Sequence, residues 1–453
     1  MSGTTGRKEA GGKGSDAMKK VTVPQLPQQG VKDLELQFPD GWDVSVFDMA
    51  GHDKAPLSIG DLRSALQKPL GTPTIREMAR GRKEVAIIFD DYARGSKWGE
   101  ISTVILEELA AAGIPDENIR FICGLGNHGT ANRTDFVRKL NEDIVSRYMV
   151  LNHNAFVGNQ YVGTTKTWGT KIEANGELMH CDLKIALGVT VPHPIAGFGG
   201  GSKAILPGVV SYQTMVDNHA NSFKATFAAM KESQEKGTPP TIGMGVYGEV
   251  HPVTDDSDEA ARMVGLDFAV NTLINKKGEH CGVYAGDFHA VHQAAIAEAK
   301  THYATEMPAG ADIVIANAFY KANENLIALF SAPSALKHSG GDFVLINNCP
   351  EGQVPHYYAG PWGKFLQGVG ATPSSIAPFV NHLINFNEYR FPGSFWPVTP
   401  KEKLTNMHRW DDVIAALKKW HGDTAKVVVF PDATIQMFPA TEKPRHHAGI
   451  AAH

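Results

Sequence analysis

Short apolar runs alternate with longer stretches of helical periodicity along this chain, and this alternation is typical of an α/β protein. Buried strands are predicted in the first half at 84–90, 118–124 and 182–190, and in the second half at 311–317, 342–347 and 425–430. Apolar residues at helical spacing predict helices over 103–113, 134–147, 256–274 and 288–303. We therefore expect an α/β fold with mostly parallel sheets flanked by helices.

The same pattern divides the 453 residues into two domains and two tails. Residues 1–22 are rich in small and polar residues without an apolar stretch, which predicts a flexible tail rather than a signal peptide. The strand–helix alternation starts afresh near 280–300, so we place an N-terminal domain at 23–285 and a C-terminal domain at 286–437. Residues 438–453 are interpreted as a second tail.

Composition narrows the class of partner. A formal net charge of −5 and a pI of about 6.4 provide no basic field for nucleic acid. No apolar run approaches the ~20 residues that span a bilayer. Cys123, Cys181, Cys281 and Cys349 form no close pair in sequence, so free thiols in a reducing compartment are the simplest interpretation. These features predict a cytoplasmic protein with a small-molecule substrate and without nucleic-acid or membrane partners.

Candidate chemistry follows three predicted strands of the first half, in the segments 90–94, 124–129 and 193–208. Parallel sheets bind ligands at the carboxyl ends of their strands. In the first segment, Asp91 and Arg94 could bind a phosphate and a hydroxyl of one ligand, since arginine offers a forked donor. The alternative is a local ion pair at the start of a helix.

The second segment matches the Gly-x-Gly-x-x-Gly pattern of dinucleotide-binding loops at Gly124–Gly129. A lone match is weak, and the helical pattern that should open inside the motif begins only near Thr134. His128 within the segment suits a catalytic base on a strand-end loop. A turn histidine that bonds to the backbone is the alternative.

The third segment combines an imidazole, His193, with a glycine run and a lysine. Glycines let a backbone approach a ligand closely, and Lys203 could bind a phosphate or bond covalently to a cofactor. The spacing is not that of a P-loop, and a packing turn with an exposed lysine is the alternative. His219, in the helical pattern that follows, could ligate a metal, although a single histidine on a helix is commonly structural.

Together these segments resemble the nickel-pincer-dependent lactate racemase family. Its Asp-Asp-x-x-Arg turn is matched at 90–94, and its Gly-Thr-His loop at 126–128, with asparagine in place of the threonine. Its His-x-x-x-Gly-Phe-Ser-Gly-Gly-x-Lys-x-x-x-Pro-Gly segment is matched at 193–208, and its Asn-His pair at 218–219. Gly199 replaces the family's serine, and Ser202 replaces its usual arginine. The His–Lys–His spacing agrees across the whole stretch.

The resemblance implies a nickel-pincer nucleotide, nickel pyridinium-3,5-bisthiocarboxylate mononucleotide, as cofactor. Lys203 would join the cofactor's thioamide arm, and His219 would be the protein ligand of the nickel. Asp91 and Arg94 would hold cofactor and substrate. Dedicated maturation enzymes, which supply this cofactor in the family, are then implied as partners.

The resemblance further implies that His128 and His193 are the catalytic acid/base pair. Two enantiomers bound at one site present their hydroxyls to different sides, so each needs its own base. In the family mechanism, hydride passes to and from the cofactor through a ketone. We therefore expect an isomerase that racemises or epimerises a 2-hydroxy acid or related secondary alcohol, with its site in the cleft between two domains.

Departures from the family pattern concern mainly the substrate. Gly95-Ser96-Lys97 stands where the family usually has Pro-Thr-Pro, and Gly129 stands where it often has arginine. Members that act on lactate carry a glutamine and a lysine in the second domain, and the nearest segment here, 324–331, offers neither. Phe330 and Ser331 in that segment predict a site of different size and polarity. A sugar acid or a larger substrate with a hydroxyl group is therefore as compatible with these residues as lactate is.

Two other functions stay open on the sequence. One is an NAD-dependent dehydrogenase built on Gly124–Gly129. The other is a non-catalytic homologue that binds or carries the cofactor, because a fold can be kept while its function changes.

Overall fold

The computed structural model describes residues 18–358, 363, 365–366, 374–375, 377–390 and 398–439. The predicted tails lie outside this part of the chain over residues 1–17 and 440–453. The strands, in chain order, are β1 (Lys19–Gln25), β2 (Lys32–Phe38), β3 (Asp43–Val46), β4 (Val85–Asp90), β5 (Ile119–Gly124), β6 (Met149–Asn152), β7 (Asn159–Thr164), β8 (Lys171–Asn175), β9 (Leu183–Val189), β10 (Pro192–His193), β11 (Gly197–Phe198), β12 (Phe268–Ile274), β13 (His280–Gly286), β14 (Ile313–Asn317), β15 (Gly341–Ile346), β16 (Ser374–Ser375), β17 (Val380–Phe386), β18 (Val398–Thr399), β19 (Leu404–Met407) and β20 (Lys426–Phe430).

The α-helices, again in chain order, are α1 (Ile59–Gln67), α2 (Ile75–Ala79), α3 (Gly99–Ala111), α4 (Arg133–Leu140), α5 (Glu142–Arg147), α6 (Gly176–His180), α7 (Tyr212–Lys236), α8 (Pro252–Val264), α9 (Phe288–His302) and α10 (Trp410–His421). Short 3₁₀ helices cover Asp116–Asn118, Gly201–Ala204, Ala322–Leu329, Ala332–Ala335 and Lys401–Lys403. Within the described ranges, no helix combines the length and the apolar character that crossing a bilayer requires.

Two sheets, each of six strands in the described part of the chain, form the framework. The first sheet has the order β13-β12-β9-β4-β5-β6 and is parallel except for β13, which pairs antiparallel with β12. The second sheet has the order β19-β17-β15-β14-β20-β3 and is parallel throughout. The expected α/β class with mostly parallel sheets and flanking helices is confirmed.

The second sheet takes strands from both ends of the chain. Strand β3 pairs with β20, and the β1–β2 hairpin packs Val23, Leu36 and Phe38 into the core beneath the second sheet. Helix α9, which lies after the proposed boundary at 285/286, packs on β12 and β13 of the first sheet. Sheet membership therefore does not follow that boundary. The pattern of a strand predicts that it is buried, but its pairing partner is chosen by the rest of the fold.

The prediction of a single helix over 256–274 is wrong. Helix α8 ends at Val264, and Gly265 follows in the left-handed conformation (φ 76°) that stops helices. The run Phe268–Ile274 is instead the fully buried strand β12 between β9 and β13. A short, wholly apolar run has no periodicity that separates a buried strand from a buried helix.

Two further boundaries differ from the prediction. The helix expected over 134–147 is interrupted at Asn141, whose φ of 78° separates α4 from α5. Strand β1 begins at Lys19, inside the stretch interpreted as a tail, because Val21 and Val23 pair with β2. Strands β4, β5 and β9 match their predictions, and their carboxyl ends lie side by side in the first sheet.

Candidate active site

The segments that follow β4, β5 and β9 open onto one cavity of about 550 Å³. The six residues singled out from the sequence all line it: Asp91, Arg94, His128, His193, Lys203 and His219. Lys321, Glu324 and Phe330, which follow β14, line it from the second sheet. The cavity therefore lies between the carboxyl ends of the two sheets, where open α/β folds bind their ligands.

His128 is held by the turn after β4. Its Nδ1 donates to Asp91 Oδ2 at 2.5 Å, and Asp91 Oδ1 accepts the backbone N–H of Ala93 at 3.0 Å. Burial alone would lower the pKa of His128, but the carboxylates of Asp91 and Glu324 raise it to about 9. Burial would raise the pKa of Asp91, yet His128 and other cations hold it below its usual value. This imidazole is therefore oriented by Asp91 and charged at neutral pH.

Glu324 connects the two walls of the cavity. Its Oε2 accepts from Arg94, while its Oε1 lies 3.5 Å from Nε2 of His128 and 3.5 Å from Nε2 of His356. The His128 and His356 rings meet edge to face, with centroids 4.6 Å apart. Burial would raise the pKa of Glu324, but Arg94 and the two histidines hold it well below its ordinary value. A buried carboxylate is thus kept ionised by its neighbours.

His193 differs from His128 in its hydrogen bonds. Its Nδ1 accepts the backbone N–H groups of Ile195 (3.2 Å) and Ala196 (3.1 Å). Burial, with Lys203 and other nearby cations, lowers its pKa well below 6.5. The neutral ring therefore carries its proton on Nε2, whereas a neutral His128 would keep its proton on Nδ1. The two imidazoles have opposite electrostatic environments.

Lys203 lies on the short 3₁₀ helix Gly201–Ala204, and it lines the cavity rather than being an exposed side chain of a packing turn. Burial, reinforced by Arg94, lowers its pKa to about 8. A substantial fraction of this amine is therefore neutral near physiological pH, which makes it a competent nucleophile.

The glycines of this loop serve the loop's own packing. Gly200 and Gly201 have φ of 84° and 57°, and a Cβ on Gly200 would lie 2.8 Å from Asn271 Nδ2. A Cβ on Gly201 would lie 2.6 Å from Cγ of His292. These positions need glycine whether or not a ligand is present, so the run by itself does not indicate close approach to a ligand.

His219 lies on α7 at the cavity wall. Its Nδ1 donates to the carbonyl of Met215 at 3.0 Å, so the neutral ring presents an unprotonated Nε2. Burial and Lys203 lower its pKa to about 3, and the ring packs against Tyr358 with centroids 5.1 Å apart. The side chain is therefore a neutral imidazole with one nitrogen available as a ligand.

A set of three side chains able to coordinate a metal ion lies elsewhere in the cavity. Among the described residues, this set consists of His128, Glu324 and His356, whose ligand atoms all lie within 4.8 Å of one another. His219 does not belong to it. In the part of the chain that the structure describes, a metal at His219 would therefore not be held by a three-residue cluster of this kind.

The turn that carries Asp91 and Arg94 is anchored by an ion pair between buried Lys139 and partly buried Asp90. Lys139 Nζ donates to Asp90 Oδ1 and to Ser96 Oγ, each at 2.8 Å, and Trp98 Nε1 donates to Asp90 at 2.6 Å. Lys139 is only 2% exposed. Ser96, one of the departures from the family's Pro-Thr-Pro, is thus part of the turn's support.

Sequence reasoning missed Lys321, Glu324 and His356. The side chain of Lys321 is fully buried, and its Nζ donates to the carbonyl of Pro192 at 3.2 Å. Burial and Arg94 lower its pKa to about 7. The second sheet therefore does bring a lysine to the cavity, just before the segment 324–331 that lacks one. Lys321 and Glu324 could have been found as charged residues that follow the strand predicted at 311–317. Nothing in the sequence pattern marks His356.

The dinucleotide motif does not have its structural context. Helix α4 begins at Arg133, after the motif has ended, so no helix N-terminus lies at Gly124–Gly129. His128 forms an isolated bridge with His356 instead. The loop thus connects the two walls of the cavity and does not cradle a pyrophosphate on a helix.

Comparison with known proteins supplies the wider context. Residues 29–231 match the family described as lactate racemase N-terminal domain. The chain is 28% identical over 343 residues to lactate racemase of Thermoanaerobacterium thermosaccharolyticum, which covers 74% of this chain and 76% of that protein. It is 28% identical over 401 residues to lactate racemase of Lactiplantibacillus plantarum, which covers 82% and 88% of the two chains.

Solved structures agree in fold. The lactate racemase apoprotein from Thermoanaerobacterium thermosaccharolyticum superposes with a TM-score of 0.67 at 21% identity, over 93% of this chain and 100% of that one. A protein from Thermotoga maritima superposes with a TM-score of 0.59 at 15% identity, over 85% and 100%.

Fold, site and relatives together define an α/β enzyme of the isomerase class with a cleft between two parallel sheets. Residues 29–231 match the N-terminal domain of the lactate racemase family, and the chain as a whole is similar to lactate racemases at 28% identity.

Proposed function

We propose that this protein racemises or epimerises a 2-hydroxy acid, or a related secondary alcohol, with a nickel-pincer nucleotide tethered to Lys203. The observation that carries the proposal is the convergence of all six sequence-selected side chains on one cavity. They come from four separate segments between residues 91 and 219. A purely structural role for each would not require them to line the same space.

The side chains fit the cofactor. Lys203 presents a partly neutral amine for the covalent bond, and His219 presents an unprotonated Nε2 for nickel. A single protein ligand suffices where the cofactor supplies the others. When bound, the nucleotide would supply the acceptor and donor for the hydride of the substrate's C–H bond.

The carboxylate and guanidinium of the first turn have a narrower role than the sequence suggested. Asp91 bonds to His128 and to Ala93 N, while Arg94 bonds to Glu324 and to the Ala93 carbonyl. We propose that Asp91 acts mainly by orienting His128, and that Arg94 contributes positive charge beside cofactor and substrate.

His128 is the stronger candidate for proton transfer. Asp91 fixes Nδ1 as a donor, so Nε2 is the atom that exchanges a proton with the substrate hydroxyl. With a pKa of about 9, His128 is protonated at neutral pH and suited to donate a proton to an alkoxide. It becomes the base for the opposite direction once that proton has been given away.

His193 is proposed as the second acid/base group, on a condition. To take up a proton it must free Nδ1 from the backbone N–H groups of Ile195 and Ala196. Movement of this short loop is therefore part of the proposal. Without that movement, His193 acts only as a hydrogen-bond donor through Nε2.

The test is co-expression of the chain with the cofactor's maturation enzymes, followed by intact mass spectrometry and nickel analysis. The unmodified chain and the Lys171→Ala control, which removes an exposed lysine, should carry the adduct mass and nickel. Lys203→Ala should lose both and should not interconvert enantiomers of a hydroxy-acid panel, followed by chiral chromatography. Retention of adduct and nickel by Lys203→Ala would show that the covalent role is wrong.

The same preparation separates the alternatives. Nickel retained without interconversion across a broad panel would favour a non-catalytic cofactor-binding homologue. Tight NADH binding by the purified chain would favour a dehydrogenase.

A further inference from the structure

The acidic groups that line the cavity have unequal freedom to contact a substrate. Asp90 is bonded to Ser96, Trp98 and Lys139, none of which lines the cavity. Asp91 is bonded to His128 and to a backbone N–H within its own turn. Among the described residues, Glu324 is the lining carboxylate that reaches across from the second sheet.

Glu324 also alters the charge that a substrate meets. Its Oε2 neutralises Arg94, a guanidinium that would otherwise attract a carboxylate. Its Oε1 lies at 3.5 Å from both neighbouring imidazole nitrogens, at the outer limit of a hydrogen bond, and so keeps capacity to accept a stronger one. Lys321, on the same segment, is fully buried, and its Nζ donates to the Pro192 carbonyl.

We propose that Glu324 is the specificity-determining residue of this cavity, and that it selects 2-hydroxy acids with a hydroxyl on the next carbon over those with a second carboxylate there. A substrate hydroxyl donates to Glu324 Oε1, whereas a second carboxylate would face a buried like charge. The inference rests on the proposed function, whose substrate class it narrows.

Three acids that share one skeleton test this directly. On the carbon that bears the 2-hydroxyl, lactate carries a methyl group, glycerate a CH2OH group, and malate a CH2–carboxylate. The loaded, full-length chain should interconvert glycerate with a kcat/KM at least ~10-fold above that of lactate, because a site built to accept a hydrogen bond rejects the analogue that lacks the donor. Malate should be slower than glycerate by ~100-fold or more.

Glu324→Gln keeps the shape of the side chain and removes its charge. Because Glu324 also faces His128, the variant should change kcat for all three acids by a common factor, which reports on proton transfer. The recognition role is measured by the ratio of kcat/KM for glycerate to kcat/KM for malate. This ratio should be lower in Glu324→Gln than in the unmodified chain by ~10-fold or more. Glu402→Gln, at an exposed position of the second half, is the matched control and should leave the ratio unchanged.

Binding to the unloaded chain gives a second measurement. Calorimetry should find glycerate bound more tightly than malate, and Glu324→Gln should narrow that difference. Suppose that the loaded chain is active but Glu324→Gln changes kcat/KM for all three acids by one factor, or that the unmodified chain already prefers malate. The specificity role is then overturned while the proposed function stands. If no acid is interconverted but the calorimetric preference and its loss are seen, the recognition role holds and the proposed function fails.

Discussion

The two walls of the cavity are built in different ways. On the first sheet, His128 and His193 are bonded to partners within their own neighbourhood, Asp91 and the Ile195–Ala196 backbone. On the second sheet, the side chains of Glu324 and Lys321 bond across the cleft to Arg94 and to the Pro192 carbonyl, and Glu324 also faces His356 on its own wall. The first wall is thus organised by itself, while the second acquires its geometry by meeting the first.

The family match also distinguishes the two walls. The match to the lactate racemase N-terminal domain, residues 29–231, contains all six first-wall residues, whereas Lys321 and Glu324 lie outside it. We infer that the first wall keeps the cofactor and the proton-transfer groups, and that the second wall distinguishes substrates. Three experiments can break or sharpen this division.

The largest effect is expected on turnover. His128→Asn should reduce the rate of enantiomer interconversion by ~10²–10⁴-fold, because it removes the proton-transfer group. His356→Asn, on the second wall, should cost less than ~10-fold, since burial lowers the pKa of His356 below its ordinary value while the pKa of His128 is raised. Initial rates by chiral chromatography, on protein whose adduct mass is verified, give the comparison. Equal losses would mean that the second wall also carries the chemistry.

A smaller effect is expected on stability. Lys139→Met should lower the free energy of unfolding by about 3 kcal/mol, because it leaves the partly buried carboxylate of Asp90 without its cation. Lys337→Met is the comparison in the second half of the chain. It removes the ion pair of Lys337 with Asp312, and the Lys337 side chain is 39% exposed. This second change should cost under ~1 kcal/mol. Urea denaturation measures both, and a Lys139→Met variant as stable as Lys337→Met would contradict the anchoring role of the Lys139–Asp90 pair.

The smallest expected effect is on the pH dependence of stability, and it comes from His153 in the first half of the chain. Burial lowers the pKa of His153 to about 4, and both ring nitrogens are used by the neutral form, with Val210 O and Asn175 Nδ2 as partners. The unfolded chain takes up this proton near pH 6.5, so stability should fall as the pH drops from about 6.5 to 4. His153→Gln should remove about 1.4 kcal/mol per pH unit from that slope.

The control for this slope is His338→Gln, at an exposed position of the second half. The substitution matches His153→Gln in chemistry but removes an exposed side chain, so the slope should not change. Urea denaturation at several pH values between 4 and 7 provides the measurement. An unchanged slope in His153→Gln would show that His153 is protonated in the folded protein.

Prediction from sequence succeeded where a residue's role is local. Strands β4, β5 and β9 were recognisable as apolar runs, and the segments at their carboxyl ends contain five of the six first-wall residues, while His219 was singled out from the helical pattern that follows. Prediction failed at Phe268–Ile274, where a buried strand and a buried helix have the same apolar pattern. It also failed at Lys321 and Glu324, because a lysine and a glutamate in a loop are ordinarily solvated.

The sequence by itself determined the α/β class, the strand-end segments and the spacing of His193, Lys203 and His219. These depend on interactions between residues near one another in the chain. Only the tertiary structure decided that β3 joins the second sheet and that Glu324 meets Arg94 and His128. Such pairings join residues more than a hundred positions apart, and no local pattern encodes which distant partner a strand or a charge will find.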